Sequence, residues 1–162
     1  MISKEWIRLT LVGGLVCLAD QVSKLWISRN IPLYDHIEII PGFFNINHVL
    51  NPGGAFGFFA RQSQEVRQFV FLFLSTLVTL FLVWFYHRVA KTHRVLSYGL
   101  ALIFGGAVGN LIDRFLYGKV VDFLDFYIGT AHWPSFNIAD SAICVGMAIL
   151  IYHMVFNKVP DL

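Results

Sequence analysis

The chain holds 162 residues, a length that suits one domain. Apolar residues make up 57% of it and charged residues only 14%. Soluble domains carry about 25% charge, so this composition excludes a water-covered surface and points to a membrane. A net charge of +2 leaves out a nucleic-acid partner.

Four apolar runs are long enough to span a bilayer: 9–26, 69–86, 95–112 and 138–156. At about 1.5 Å per residue each covers roughly 27 Å, near the hydrocarbon thickness. The sequence therefore predicts a single integral-membrane domain over 1–162, an all-α membrane protein with four transmembrane helices. The first run follows Lys4 and Arg8 as a secretory signal would. It continues through Asp20, Gln21 and Lys24 with no small-x-small cleavage site, so it is expected to be a retained helix. Asp20 and Lys24 stand four apart with the acid first, the favourable order for a helical ion pair. Such a pair either neutralises itself near the membrane surface or supports a polar cavity.

Between the first two spans, the segment 29–65 predicts a small extracytoplasmic β-sheet. Ile37 to Ile39 and Phe43 to Val49 read as short strands around a Pro41-Gly42 turn. Strands exposed in lipid would leave backbone groups unpaired, which puts this sheet on the outer surface of the bundle. It leads into Asn51-Pro52-Gly53-Gly54-Ala55-Phe56, where glycines allow close backbone approach and the phenylalanines through Phe59 suit the interface or an acyl chain. The third span carries Ala101, Gly105 and Gly109 at four-residue spacing, a seam for a neighbouring helix. Its end, Gly109-Asn110-Leu111-Ile112-Asp113-Arg114, sets Asn110 and Asp113 on one face. Beyond it, Val120 to Trp133 alternates aromatics and acids, as an interfacial helix or loop would.

Orientation follows the basic residues. Arg88, Lys91 and Arg94 crowd the link between the second and third spans, and Lys4, Arg8 and Lys158 flank the termini on that side. Arg29, Arg61, Arg67 and Lys119 lie on the other. The positive-inside tendency makes both termini cytoplasmic and puts Asp122 and the start of the fourth span at the outer face.

The six histidines show no His-Glu-x-x-His or other ligand spacing, so no metal is expected. No serine sits in an elbow motif. Cys17 and Cys144 lie in apolar runs, as small buried hydrophobes would. Carboxylate chemistry remains. A carboxylate inside an apolar span costs about 2.5–3.5 kcal/mol at a helix centre, and Asp140 stands in one. Two carboxylates sharing a poorly solvated site hold one proton between them, and the other acid then acts as a base towards water. Asp122 and Asp140 flank one short aromatic connection and suit that pairing. Each also has a plainer reading. Asn137 could cap the fourth helix with Asp140 at its third position, and Asp122, with Asp125 still more so, could be a solvated loop acid.

Five motifs in order, Asp20-Gln21-Val22-Ser23-Lys24, Asn51 to Phe56, Gly109 to Arg114, Val120-Val121-Asp122-Phe123 and Phe136-Asn137-Ile138-Ala139-Asp140-Ser141, closely resemble the lipoprotein signal peptidase (signal peptidase II) family across nearly the whole chain. Gly54 stands where that family more often has alanine. The resemblance implies an intramembrane aspartic endopeptidase of the bacterial inner membrane, which removes signal peptides from diacylglyceryl-modified prolipoproteins by cutting before the lipidated cysteine. It implies Asp122 and Asp140 as the catalytic dyad. Asp20, Lys24, Asn51, Gly53, Gly106, Asn110, Asp113, Arg114 and Asn137 follow as substrate-binding or supporting residues. It implies no metal and no organic cofactor. The expected partners are the lipidated substrate and membrane lipid, and the chain is expected to be a monomer. The helix dipole would favour ionised Asp140 and leave the proton on Asp122, against the opposing effect of burial. The alternatives are an ion-coupled transporter using Asp20, Lys24, Asp113 and Asp140, or a four-span scaffold using the glycine seam.

Overall fold

The four apolar runs form four long helices in a computed structural model, which describes residues 3–53 and 63–156. The elements are α1 (Lys4–Asn30), β1 (His36–Ile40), β2 (Phe44–Asn51), α2 (Gln64–Val89), α3 (Arg94–Tyr117), β3 (Val120–Ile128), β4 (Ala131–His132) and α4 (Ile138–Val155). Each helix is long and apolar enough to cross a membrane. The first three run past their expected windows because their polar ends, such as Ser28 to Asn30 on α1, continue the helical hydrogen bonding beyond the apolar stretch. Gly54 to Phe59, Arg61 and Lys158 lie outside the described residues.

α3 is the central helix. It packs on α1, α2 and α4, and 56% of its apolar window is buried, against 17–22% for the other three. Small residues make that possible, as the glycine seam predicts. Gly105 lies against the backbone of Gly13 on α1, where an added Cβ would come 2.5 Å from the Gly13 carbonyl oxygen. One residue on, Gly106 lies against the Ala139 carbonyl oxygen in the first turn of α4, leaving no room for a side chain. Gly106→Ala is therefore expected to push the start of α4 away. Overpacking of this kind costs about 1–3 kcal/mol, and because Asp140, an acid of the expected dyad, is the next residue after Ala139, activity should fall more than stability. Paired Tm and activity measurements on the purified variant would check this, and a variant of full activity would contradict it.

The opposite end of the bundle collects the α1 start and the α2–α3 link. Tyr86 Oη donates to the Glu5 carbonyl at 2.6 Å, and Arg8 donates to Ser97. Lys4, Arg8, Arg88, Lys91 and Arg94 thus share one end of the molecule.

At the other end the four strands form one antiparallel sheet in the order β1-β2-β3-β4. β1 and β2 fall where the sequence puts them. The interfacial helix or loop expected over Val120 to Trp133 is corrected: Val120–Ile128 is strand β3, paired to β2 with Asn45 opposite Asp125 and Val49 opposite Asp122. Its alternation is that of a strand with two covered faces. Val121 and Phe123 pack on Ile27 and Ile31 at the end of α1, which an interfacial helix would leave bare. Asp125 is likewise no solvated loop acid. It is 5% exposed and bonded to Asn45 and His132. The cysteines are not protein-buried either. Cys144 is exposed and Cys17 half-buried, and both are free.

Candidate active site

The turn from α3 into β3 and the start of α4 bring the two acids together. Gly118, at φ 70°, ends α3 in the left-handed region, where glycine pays no Cβ penalty, and lets β3 begin at once. Asp122 projects from β3 and is 2% exposed. Asp140 is half-buried in the first turn of α4, whose N-cap is Asn137. The Asn137 Oδ1 accepts the Asp140 backbone N–H at 2.9 Å. The capping reading is therefore correct, and it holds together with the pairing rather than against it.

Three asparagine amides join the acids. Asn137 Nδ2 donates to Asp122 Oδ1 at 2.7 Å, Asn51 Nδ2 to Asp122 Oδ2 at 3.0 Å, and Asn110 Nδ2 to Asp140 Oδ1 at 2.7 Å. Asn137 Nδ2 also reaches Asn110 Oδ1 at 3.2 Å, closing a path between the carboxylates. Each amide has its oxygen fixed by another donor: Gly53 N–H on Asn51 at 2.8 Å, Asp140 N–H on Asn137, and Lys24 Nζ on Asn110 at 3.0 Å. All three therefore turn their N–H groups to the acids and cannot invert without losing a bond. Gly53 makes its contact at φ 85°, tight against the Phe71 ring.

Beneath this layer lies a buried ion cluster. Lys24 Nζ contacts Asp20 Oδ2 at 2.8 Å and Asp113 Oδ2 at 3.0 Å. With Asn110 as its third partner, all three ammonium hydrogens are used. The pair on α1 thus supports the polar interior rather than neutralising itself at a surface. Each acid also reaches out to a segment that carries the dyad. Asp20 Oδ1 accepts Ala139 N–H at 2.9 Å, and Asp113 Oδ2 accepts Val121 N–H at 3.1 Å. Arg114 donates to the Asn110 carbonyl at 3.4 Å and lies close enough to Asp140 to feel its charge.

Of the residues expected at the site, Asp20, Lys24, Asn51, Gly53, Asn110, Asp113, Arg114 and Asn137 join this network with the two acids, while Gly106 packs beside it against Ala139. Gln21 was not singled out for it, yet its Nε2 donates to Asp113 Oδ1 at 2.9 Å and to the Gly109 carbonyl at 3.1 Å. Its signal was an amide between Asp20 and Val22 in an otherwise apolar run.

The Asp122 carboxyl is pushed up to about 6, first by burial. The Asn51 bond pulls it down, the neighbouring Asp140 pushes it up, and the Asn137 bond and the more distant Lys24 charge pull down again. Among the described residues no group of three His, Cys, Asp or Glu could hold a metal ion. The arrangement can hold one proton between two acids and offer the other as a base.

Known proteins resemble this chain over most of its length. The model of a family described as Signal peptidase (SPase) II matches residues 12–156. The lipoprotein signal peptidase of Desulforapulum autotrophicum is 57% identical over the full length of both chains. That of Syntrophus aciditrophicus is 43% identical over 94% of each. A bacterial membrane enzyme solved by the in meso method superposes with a TM-score of 0.81 at 34% identity, covering 95% of this chain and 93% of its own.

Proposed function

The chain belongs to the signal peptidase II family, multi-span membrane aspartic peptidases of bacteria that remove signal peptides from prolipoproteins, and from that premise we propose that Asp122 and Asp140 are its catalytic dyad. The observation that carries the assignment is the Asn110–Asn137 bridge, which joins the two carboxylates through oriented N–H donors. In the proposed cycle the ionised Asp140 takes a proton from water, and that water attacks the scissile carbonyl carbon. Asp122 gives its proton to the carbonyl oxygen, forming a neutral tetrahedral diol. Collapse returns a proton to Asp122 and passes the other, from Asp140, to the departing amine. The raised Asp122 carboxyl supports its place as the acid, which leaves the base to Asp140.

The substrate is the diacylglyceryl-modified prolipoprotein, cut before the lipidated cysteine. Asn51, Gly53, Gly106 and Arg114 border or support the place where its backbone would lie. The basic cluster at the far end of the bundle supports a cytoplasmic location for both termini, with the dyad towards the outer face. The enzyme acts as a monomer in contact with membrane lipid, without metal or organic cofactor. Purified protein given a lipidated prolipoprotein and its unlipidated form tests this reading. Cleavage of the lipidated form alone, undiminished by a chelator, is the expected result; equal cleavage of both would remove the lipid requirement.

The Asp122 proton also sets a pH limit. A carboxyl with a native pKa of about 6 keeps its proton below that pH and loses it above. The doubly ionised dyad has no acid, so kcat/KM should fall as pH rises beyond about 6, by up to about tenfold per pH unit. A profile in micelles that stays flat from mildly acidic to alkaline pH would count against Asp122 as the proton carrier.

A further inference from the structure

Behind the strand that carries Asp122 lies a polar cleft of about 360 Å³ that takes no part in the dyad. Alternation along β3 turns Asp125 and Tyr127 to the face opposite Asp122. There they meet Asn45 and Asn47 of β2, His36 of β1 and His132 of β4. Asn45 is 6% exposed and Asp125 is 5% exposed, so the floor of the cleft is polar yet shielded from water. Asn45 Nδ2 donates to Asp125 Oδ2 at 3.0 Å, and Asn47 Nδ2 donates to Ser135 Oγ at 2.8 Å. The Oδ1 atom of each amide is buried and accepts nothing. A buried acceptor left unmade costs about 1–3 kcal/mol, and native proteins rarely keep two side by side. Asp35 adds a second carboxylate at the rim. The cleft is rich in acceptors and negative charge, so its complement is a cation that donates hydrogen bonds.

A second feature adjoins it. The Tyr127 and His132 rings stack at 4.8 Å and 8°, and both line the cleft. The same two residues also line an apolar trough of about 320 Å³, together with Phe43, Phe126, Ile128 and Trp133. Ile128 is 76% exposed and Trp133 69%, so the trough is open along its length. One molecule satisfies both features if it joins a donor cation to an apolar chain. We propose that cleft and trough together bind an aminophospholipid whose headgroup is a primary ammonium. Its three N–H donors meet Asn45, Asn47 and Asp125, the phosphodiester passes the His132 imidazole, and an acyl chain lies along Trp133 and Ile128. A transition-metal ion would need a His, Cys or carboxylate set that the described residues do not provide. The site lies on the reverse face of β3 from Asp122, so occupancy would brace the strand without touching the reacting groups. It does not depend on the dyad assignment.

Titrating the full-length protein in detergent micelles with a short-chain phosphatidylethanolamine and its phosphatidylcholine counterpart, read by native mass spectrometry, tests the proposal. Choline keeps the charge but has no N–H. The ethanolamine lipid should bind about tenfold more tightly, the worth of one hydrogen bond to a charged group, and Asp125→Asn should reduce that preference. If Asp125→Asn does not accumulate, Asp35→Asn, on an exposed loop, should reduce the preference about threefold. Equal binding of the two lipids overturns the proposal, and so does a preference unchanged in whichever variant folds. A soluble lysine-containing peptide that displaces the lipid and binds more tightly would assign the cleft to a polypeptide and overturn it too.

Discussion

Asp122→Asn and Asp140→Asn should each lower kcat/KM for lipidated prolipoprotein by about 10⁴-fold or more, the full worth of a positioned acid or base. The two replacements differ in what they do to the fold. At Asp140 the acid accepts one N–H, from Asn110, and an asparagine oxygen can take its place. At Asp122 both oxygens accept, from Asn51 and Asn137, so the new amide must face one of those donors with its own NH₂. That conflict costs about 1–3 kcal/mol. Asp140→Asn should therefore keep its Tm, while Asp122→Asn loses some stability as well as activity. The double variant should be no slower than either single one, because the acids act as a unit. Activity above a tenth of the parent in either single variant would remove that acid from the dyad.

Lys24→Met is the replacement expected to damage the fold most. Lys24 is 3% exposed and is the cation between Asp20 and Asp113, which are 0% and 1% exposed. Removing one partner of such a buried set typically costs about 3–5 kcal/mol, because the remaining charges stay uncompensated. That is a large part of the roughly 5–15 kcal/mol that holds a domain together. The variant should accumulate poorly and melt well below the parent in micelles. Adding Asp20→Asn and Asp113→Asn should recover part of the loss by removing the stranded charges, although the oriented Asn110 amide would still lack its pin. A Tm equal to the parent's would show that the cluster is held by something other than this cation.

The sequence shows these elements unevenly. Hydropathy alone marks the four helices, because each buries or presents an apolar surface along its whole length. The Asp20–Lys24 pair is legible because both partners lie on one helix, four residues apart. Its third member, Asp113, comes from a helix that arrives only with tertiary packing, and no local rule connects the two. The same holds for the bonds from Asp20 to Ala139 and from Asp113 to Val121, which hang the α4 start and β3 from the cluster. β3 is not legible locally because alternating aromatics and acids suit an interfacial segment as well as a strand with two covered faces. Strand pairing decides between them, and pairing depends on β2. The burial of Asp125 is hidden for the same reason, since it exists only once Asn45 stands opposite.

The fixed amides have a consequence for inhibition. Asn51, Asn110 and Asn137 each spend one end on a pinning donor and the other on an acid of the proposed dyad. A compound that takes its affinity from the groups around the dyad therefore leaves a bacterium few single-codon routes to resistance. On the proposed assignment, a change that dislodges the drug there also releases one of the two acids on which cleavage depends. Escape should arise instead on the rim of the site, where side chains can vary without loosening the network.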